Sequence, residues 1–200
     1  LAAHRPAVYA VVFAVLIAYI VHRPPPTNEV GGCRNRDRNS KRSARPRITV
    51  SIRDGIVFNG PVAALQLKGS ALSALGKLAA YADLYLIASG VTSDDEELAV
   101  HKALEREGLL GMDKFDARKV LVCSSDLGRS AMCRQIEPEL HVDASEEIVA
   151  VLAPHLPNVA IVGGSSSAAA PSTRRENVLV ADTLSELVDS YIAARTMASA

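Results

Sequence analysis

Six short runs of strand-forming residues alternate with helical periods between Ile48 and Arg195. They are ITVSI (48–52), DLYLIA (83–88), KVLVC (119–123), LHV (140–142), VAIVG (159–163) and NVLVA (177–181). Strands that are apolar along their whole length are typical of sheets covered on both faces. Their alternation with helices indicates parallel strands joined by crossover helices. The sequence therefore predicts a three-layer, Rossmann-like α/β domain with a mostly parallel sheet over residues 48–200.

Helical segments are predicted between these runs. Apolar residues recur at helical spacing over residues 70–82. Ser93 and Glu96 have the spacing of a capping box, in which each side chain accepts a hydrogen bond from the other's unpaired backbone N–H. The helix that they begin should end at Gly108, because glycine favours the left-handed conformation that terminates helices. Further helices are predicted over residues 127–135, 145–152 and 183–195.

The N-terminal segment has the character of a membrane anchor. Residues 6–21 form an uncharged apolar run of sixteen residues with basic residues on both sides, just under the length of about 17–25 residues that spans a bilayer. A signal peptide would need a small-residue cleavage site, whereas HRPPP follows here, and a core helix would lack an apolar neighbour. We predict a single-pass anchor over residues 1–22 that contacts the membrane through residues 6–21. Because the chain begins with Leu1, we expect it to be a fragment.

A basic segment follows the anchor. Residues 23–47 carry eight Arg or Lys against two acids, together with PPP and GG, and have few hydrophobic residues. Such a segment buries too little apolar surface to fold, so we expect a disordered linker. Positive charge beside a membrane span marks the cytosolic side, which places the following domain in the cytosol. A nuclear localisation signal is the alternative interpretation of this basic run.

The formal net charge of zero hides two oppositely charged parts. Residues 1–47 have nine basic and two acidic residues, a balance of +7, whereas residues 48–200 have a balance of −7. A basic tail suits an anionic membrane surface, but an acidic domain repels phosphate backbones. Aromatic residues, on which single-stranded nucleic acids stack, make up only 4% of the chain. No nucleic-acid partner is therefore expected.

The clearest catalytic pattern is IRDG (52–55), which overlaps the end of the first predicted strand. Haloacid-dehalogenase-like phosphatases have D-x-D-G there, with the first Asp as the nucleophile and the second as the general acid. Ile52 occupies the first position in this chain. An alkyl group neither attacks phosphorus nor binds Mg²⁺, so the pattern predicts that this nucleophilic chemistry is lost.

Other residues of that phosphatase pattern are still present. Asp54 remains, Ser89 ends the second predicted strand at the place of a phosphate-binding hydroxyl, and Asp182 follows a late strand at the place of a metal ligand. Without a nucleophile we expect these residues to be relics. The structural alternative for Asp54-Gly55 is a turn in which Gly55 supplies a positive φ angle.

Cys123 and Arg129 have the C-x5-R spacing of cysteine phosphatases. They lie between a predicted strand and a predicted helix, where loop amides and the helix N-terminus would activate a thiolate. Such loops are rich in glycine, however, and Asp126 would repel a phosphate group. A membrane-bound phosphatase of this type, or of the haloacid dehalogenase type, remains the alternative function.

The remaining site patterns are incomplete. Gly163-Gly164-Ser165 follows a strand but lacks the third glycine of a dinucleotide-binding loop. The cysteines have no C-x-x-C spacing and are expected to be reduced thiols, and the histidines have no metal-ligand spacing. These residues are Cys33, Cys123 and Cys133, and His4, His22, His101, His141 and His155. No catalytic residue, cofactor or metal site is predicted.

Several stretches of the domain resemble the peroxisome biogenesis protein 22 (peroxin-22) family. They are SIRDGIVF, ADLYLIA, EELAVHKALEREGLL and above all KVLVCSSDLGRSAMCRQIEPELHVDAS, and the similarity extends over residues 48–162. The resemblance implies an N-terminal span, a linker and a cytosolic Rossmann-like domain that anchors and activates a ubiquitin-conjugating enzyme of the peroxin-4 type at the peroxisomal membrane. That machinery ubiquitinates the import receptor for recycling. The resemblance implies no catalytic residues and identifies no individual partner-binding residue.

Overall fold

A computed structural model describes residues 45–54, 56–62, 65–110, 115–163 and 175–198 of the chain. Six of the strands in these residues form one parallel sheet, and two form a short antiparallel hairpin. In chain order they are β1 (Arg47–Ser51), β2 (Phe58–Asn59), β3 (Gln66–Leu67), β4 (Asp83–Ser89), β5 (Val120–Cys123), β6 (Leu140–Asp143), β7 (Val159–Val162) and β8 (Val178–Ala181).

The sheet is doubly wound about β1, which pairs with β4 on one side and with β6 on the other. The strand order is β5-β4-β1-β6-β7-β8, and every neighbouring pair is parallel. At the centre, Val50 of β1 pairs with Leu86 of β4 and Val142 of β6. The chain order therefore reverses direction between β1 and β6, which creates the switch point at which such sheets bind ligands. The predicted parallel sheet is confirmed.

Helices cover both faces of the sheet. They are α1 (Ala71–Tyr81), α2 (Asp94–Arg106), α3 (Asp126–Ile136), α4 (Glu146–Leu152) and α5 (Leu184–Ala198). Leu75 of α1, Leu104 of α2 and Leu187 of α5 share one buried cluster, whereas Cys133 of α3 and Val149 of α4 belong to another. Each fully buried aliphatic side chain contributes about 1.5–3 kcal/mol. The three-layer architecture is confirmed.

The predicted start of α2 is confirmed with one change in its capping contacts. Ser93 Oγ accepts from Glu96 N at 3.3 Å, as a capping box requires. The Glu96 carboxylate reaches one residue further back than expected and accepts from the backbone N–H of Thr92 at 2.6 Å. Hydrogen bonds from Thr92 lower the pKa of Glu96. The helix is followed by Gly108 at φ 78°, in the predicted left-handed conformation.

Two features differ from the sequence-based expectation. The hairpin of β2 and β3 was not predicted, because strands of two residues carry no periodic signal, yet it covers the core with the buried Phe58. The folded domain also begins earlier than residue 48. β1 begins at Arg47, and the side chains of Arg45 and Arg47 donate to the carbonyls of Ala79 and Ile136. The last residues of the predicted linker therefore belong to the domain.

Several predictions fall outside the described residues. The anchor over residues 1–22, residues 23–44 of the linker and the serine-rich stretch 165–173 are among them. Within the part of the chain that the structure describes, no helix combines the length and the apolar character needed to cross a bilayer.

Candidate functional site

A polar crevice of about 450 Å³ lies at the carboxyl ends of the central strands. The loops after β1, β4, β5 and β6 contribute its lining, which includes Arg53, Ser89, Ser124 and Ser145. Parallel strands end at one edge of the sheet, and the loops diverge where the strand order reverses. The crevice is therefore the position in this fold at which a catalytic or binding site is expected.

A buried arginine occupies the floor of this crevice. Arg129 of α3 is 1% exposed. Its Nη1 donates to Ser51 Oγ at 2.8 Å, to Asp54 Oδ2 at 3.0 Å and to Asp143 Oδ1 at 3.3 Å. Its Nη2 donates to Asp126 Oδ1 at 2.7 Å. One guanidinium thus joins the end of β1, the end of β6 and the first turn of α3.

The three carboxylates around Arg129 keep it charged. Burial by itself would lower the pKa of the Arg129 guanidinium, but the negative charges of Asp143, Asp126 and Asp54 outweigh burial and raise it. Asp143 is fully buried, whereas the side chains of Asp54 and Asp126 are 49% and 62% exposed. The attraction to Asp143 is therefore the least screened by solvent.

A second group of buried polar side chains continues from Asp143 beneath α3. His141 Nε2 lies 3.2 Å from Asp143 Oδ2, and His141 Nδ1 lies 2.8 Å from Thr49 Oγ1. All three residues are fully buried. The contacts are satisfied when Nε2 donates to the carboxylate and Nδ1 accepts from the threonine hydroxyl. The face of β1 and β6 that packs against α3 is therefore polar, and each buried group has a partner.

Cys133 completes a cysteine, histidine and aspartate arrangement, but its surroundings oppose catalysis. Its Sγ lies 3.4 Å from His141 Nδ1, and the residue is fully buried. Burial, followed by the charge of Asp143, raises the pKa of the Cys133 thiol to about 12. A nucleophilic cysteine needs a lowered pKa and access for its substrate. The arrangement therefore has the contacts of a structural network.

We expect Cys133 to resist thiol reagents in the folded chain. At pH 8 its alkylation should be at least about 10³-fold slower than in urea, because a thiol of such high pKa has little thiolate. The raised pKa stabilises the folded state fully below the pKa of the unfolded thiol, and this contribution is lost as the pH rises toward 12. Mass spectrometry after timed iodoacetamide exposure measures the rate. Equal rates in buffer and in urea would contradict the burial of this thiol.

The side chains of Ile52 and Asp54, which follow β1, lie in different surroundings. Ile52 is fully buried in the core shared with α1 and α5 and does not line the crevice. Asp54 lines the crevice and contacts Arg129. Asp54 has a positive φ angle of 58° within the predicted turn. Aspartate tolerates this conformation better than most residues; Gly55 lies outside the described residues.

Ser89 lies at the crevice, where the sequence pattern placed it, whereas Asp182 does not line the crevice. Ser89 ends β4 and lines the crevice, and its carbonyl accepts from Arg53 Nη1 at 3.0 Å. Asp182 follows β8, an edge strand that lies three strands away from β1, a separation of roughly 14 Å at the usual strand spacing. The acid at the carboxyl end of a strand beside β1 is Asp143. The sequence reasoning missed it because the predicted strand stopped at Val142, one residue too early.

The loop from Cys123 to Arg129 joins a strand to a helix as predicted, but its chemistry differs from that of a cysteine phosphatase. The Cys123 thiol is 3.8 Å from the carbonyl of Ala88, and burial raises its pKa. The Arg129 guanidinium contacts acids instead of facing an open anion site. Ser125 caps α3 by accepting from Gly128 N at 3.2 Å. The loop therefore serves as a helix cap above a buried thiol.

The remaining candidates do not assemble into a site. Gly163 follows β7 at φ 82°, and Gly164 and Ser165 lie outside the described residues. Among the described residues, no group of three His, Cys, Asp or Glu side chains has an arrangement that could hold a metal ion. Of the three histidines that the structure describes, His141 is the one that belongs to the polar network beneath the crevice, and its burial had no signal in the sequence.

Sequence comparison identifies similar proteins for most of the domain. The profile of a family described as "Peroxisome biogenesis protein 22, Haloacid dehydrogenase-like domain" matches residues 58–188. An Arabidopsis thaliana protein named Peroxisome biogenesis protein 22 is 38% identical over 87 residues. That match covers 44% of this chain and 30% of the relative. The chain therefore matches less than a third of the relative's length.

Solved structures share the fold at low sequence identity. A D,D-heptose 1,7-bisphosphate phosphatase from Burkholderia thailandensis aligns with a TM-score of 0.53 and 14% identity, covering 74% of this chain and 99% of that one. The corresponding phosphatase from B. bronchiseptica, complexed with magnesium and phosphate, has a TM-score of 0.55 and 14% identity, covering 74% and 98%. At this identity the likeness establishes the fold and no more.

Proposed function

The chain belongs to the peroxisome biogenesis protein 22 family, and we propose that it docks a ubiquitin-conjugating enzyme of the peroxin-4 type at the peroxisomal membrane. Membership associates the chain with the peroxisome and with peroxisome biogenesis. The proposal adds the partner, the activation of that partner and the support of receptor ubiquitination and recycling in matrix protein import. It assigns the folded domain a binding role without catalysis.

The proposal rests on the side chain at position 52. A phosphatase of this fold would need a carboxylate there that faces the crevice, and Ile52 is a hydrocarbon side chain within the apolar core. Placing a charge at this position would also bury it without a partner, which is costly. The crevice keeps its polar lining, but the residue at position 52 supplies no nucleophile for such a step. This favours recruitment of an enzyme over catalysis by the chain itself.

The proposed attachment to the membrane rests on the N-terminal residues. The apolar run 6–21 is assigned as a single-pass span, and the basic residues 23–47 as the cytosolic connection to the domain. The acidic balance of residues 48–200 would keep the domain from lying against anionic lipids. A tether of this kind raises the local concentration of a bound enzyme near membrane targets without any new contact.

We expect the tagged full chain, extracted from peroxisomal membranes in mild detergent, to capture a ubiquitin-conjugating enzyme. A variant lacking residues 1–22 is the matched control. It should bind the same enzyme but should no longer sediment with carbonate-washed membranes, because the apolar run that partitions into the bilayer is gone. Immunoprecipitation with mass spectrometry, and membrane flotation, measure the two properties separately.

Three outcomes would contradict the proposal. The first is capture of no conjugating enzyme by either form of the chain. The second is unchanged membrane association after removal of residues 1–22. The third is phosphate release by the purified chain that is lost on Asp54→Asn or Cys123→Ser, which would instead favour the phosphatase alternative.

A further inference from the structure

The acids of the crevice are arranged around a side-chain cation. Asp54 follows β1 and Asp143 ends β6, the two strands that meet at the switch point. Nη1 of Arg129 lies between them, within 3.0 Å of the first and 3.3 Å of the second. Asp126 contacts the other terminal nitrogen of the same guanidinium. Three negative charges therefore converge on one positive group at the edge of the sheet.

Magnesium does not fit among these residues. Mg²⁺ requires oxygen ligands in nearly octahedral geometry at about 2.0–2.1 Å. Ile52 offers no oxygen, and the space between Asp54 and Asp143 is filled by Arg129 Nη1. A metal ion at that point would collide with the guanidinium and would be repelled by its charge. Magnesium is present in one solved structure of similar fold, but we therefore do not expect it to bind at this position in this chain.

The positive charge of the guanidinium stabilises the negative charges of the acids around it. Asp143 is fully buried, and a buried carboxylate without a partner is strongly destabilising. Arginine stays protonated at all physiological pH values and offers donors in several directions, so one side chain can donate hydrogen bonds to more than one acid. Of the guanidinium nitrogens of Arg129, Nε has no hydrogen-bond partner among the described residues. The remaining contacts reach β1, β6 and α3.

We infer that the Arg129 guanidinium is a built-in cation that takes the place of a metal ion in this fold. It pairs with the acids of the switch point and holds them together without a metal ion. The chain then needs no divalent ion to fold or to keep the crevice in shape. Removing the guanidinium should convert Asp54, Asp126 and Asp143 into a site for a divalent cation.

The first test uses the unaltered full chain in mild detergent with Mn²⁺ as the probe. Electron paramagnetic resonance of free Mn²⁺ should show no binding by the domain tighter than about 1 mM, the weak end of protein cation sites. The unfolding midpoint should be the same in EDTA and in excess Mn²⁺. Binding tighter than this limit that disappears on Asp143→Asn would overturn the inference.

The second test removes the cation. Arg129→Met should raise the unfolding equilibrium constant in EDTA by about 10²–10³-fold, because the buried Asp143 carboxylate loses its guanidinium partner. Mn²⁺ at ten times its dissociation constant should then recover about tenfold. Arg118→Met is the matched control, since Arg118 is exposed and pairs with Asp116 outside the crevice. A folded Arg129→Met variant with no greater response to Mn²⁺ than wild type would overturn the inference.

A double variant keeps the inference testable should Arg129→Met fail to fold. Arg129→Met combined with Asp143→Asn removes both buried charges while largely preserving side-chain volume. It should be at least about tenfold more stable in its unfolding equilibrium than Arg129→Met alone, because the two residues are coupled. Recovery of folding in the double variant supports the built-in cation. A double variant that is no more stable than the single one would refute it.

Discussion

Asp143→Asn is expected to destabilise the domain by about 3–5 kcal/mol, the range measured when one partner of a buried ion pair is removed. The asparagine has the same shape, so the change removes charge without creating a cavity. Arg129 would then keep its charge in the floor of the crevice with only the half-exposed carboxylates of Asp54 and Asp126. The Asp143 carboxylate also accepts from Ser145 N at 2.9 Å and from His141 Nε2, so its loss weakens the start of α4 as well.

Asp126→Asn is the matched control for this substitution. Asp126 pairs with the same guanidinium at 2.7 Å but is 62% exposed, and exposed ion pairs contribute about 0–1 kcal/mol. Because both acids pair with Arg129, the difference between the two variants measures the effect of burying the ion pair. Urea unfolding of the two variants, followed by circular dichroism, measures the difference. If Asp126→Asn and Asp143→Asn lowered the free energy of unfolding equally, burial of Asp143 would contribute nothing to stability, contrary to the expectation.

Tyr191→Ala is expected to have an effect of similar size at the opposite end of the sheet, about 3–5 kcal/mol for a buried aromatic side chain. The Tyr191 ring is 1% exposed and meets Tyr81 of α1 edge-on, with ring centroids 6.4 Å apart. Its hydroxyl donates to Glu139 Oε1 at 2.7 Å. Tyr191 therefore joins α5 to α1 and to the residue before β6. Burial, followed by the charge of Glu139, raises the pKa of Tyr191.

Two further variants separate the contributions of this residue. Tyr191→Phe keeps the ring and should cost only about 1 kcal/mol, since Glu139 retains its contact with Arg195. Met197→Ala lies on the same helix at a residue that is 78% exposed, and its effect should stay within about 0.5 kcal/mol. Guanidinium unfolding midpoints provide the measurement. A loss for Tyr191→Phe as large as that for Tyr191→Ala would assign the stability to the hydroxyl and contradict the packing argument.

The folded unit extends beyond the region that the family profile matches. The profile spans residues 58–188, but β1 (Arg47–Ser51) is a central strand of the sheet, and Tyr191 and Ala194 are buried beyond residue 188. A fragment limited to the matched region would lose the strand that pairs with both β4 and β6. The structural domain therefore includes β1 and the buried residues of α5 that follow residue 188.

The sequence by itself determined the class of the fold and the hydrocarbon character of position 52. Continuous apolar runs and helical periods are local signals, because each follows from the spacing of residues along a single element. They located all six strands of the sheet and the helices between them within a few residues. The hydrocarbon at Ile52 was equally visible, since its chemistry does not depend on its neighbours.

Only the tertiary structure decided which acids meet. The order of strands in a sheet depends on contacts between residues far apart in the chain, so nothing local distinguished Asp143, beside β1, from Asp182, beyond an edge strand. The role of Arg129 was hidden for the same reason. Its spacing from Cys123 indicated an anion-binding loop, but packing of α3 on β1 and β6 turned its guanidinium toward carboxylates that come from 75 and 14 residues away in the sequence.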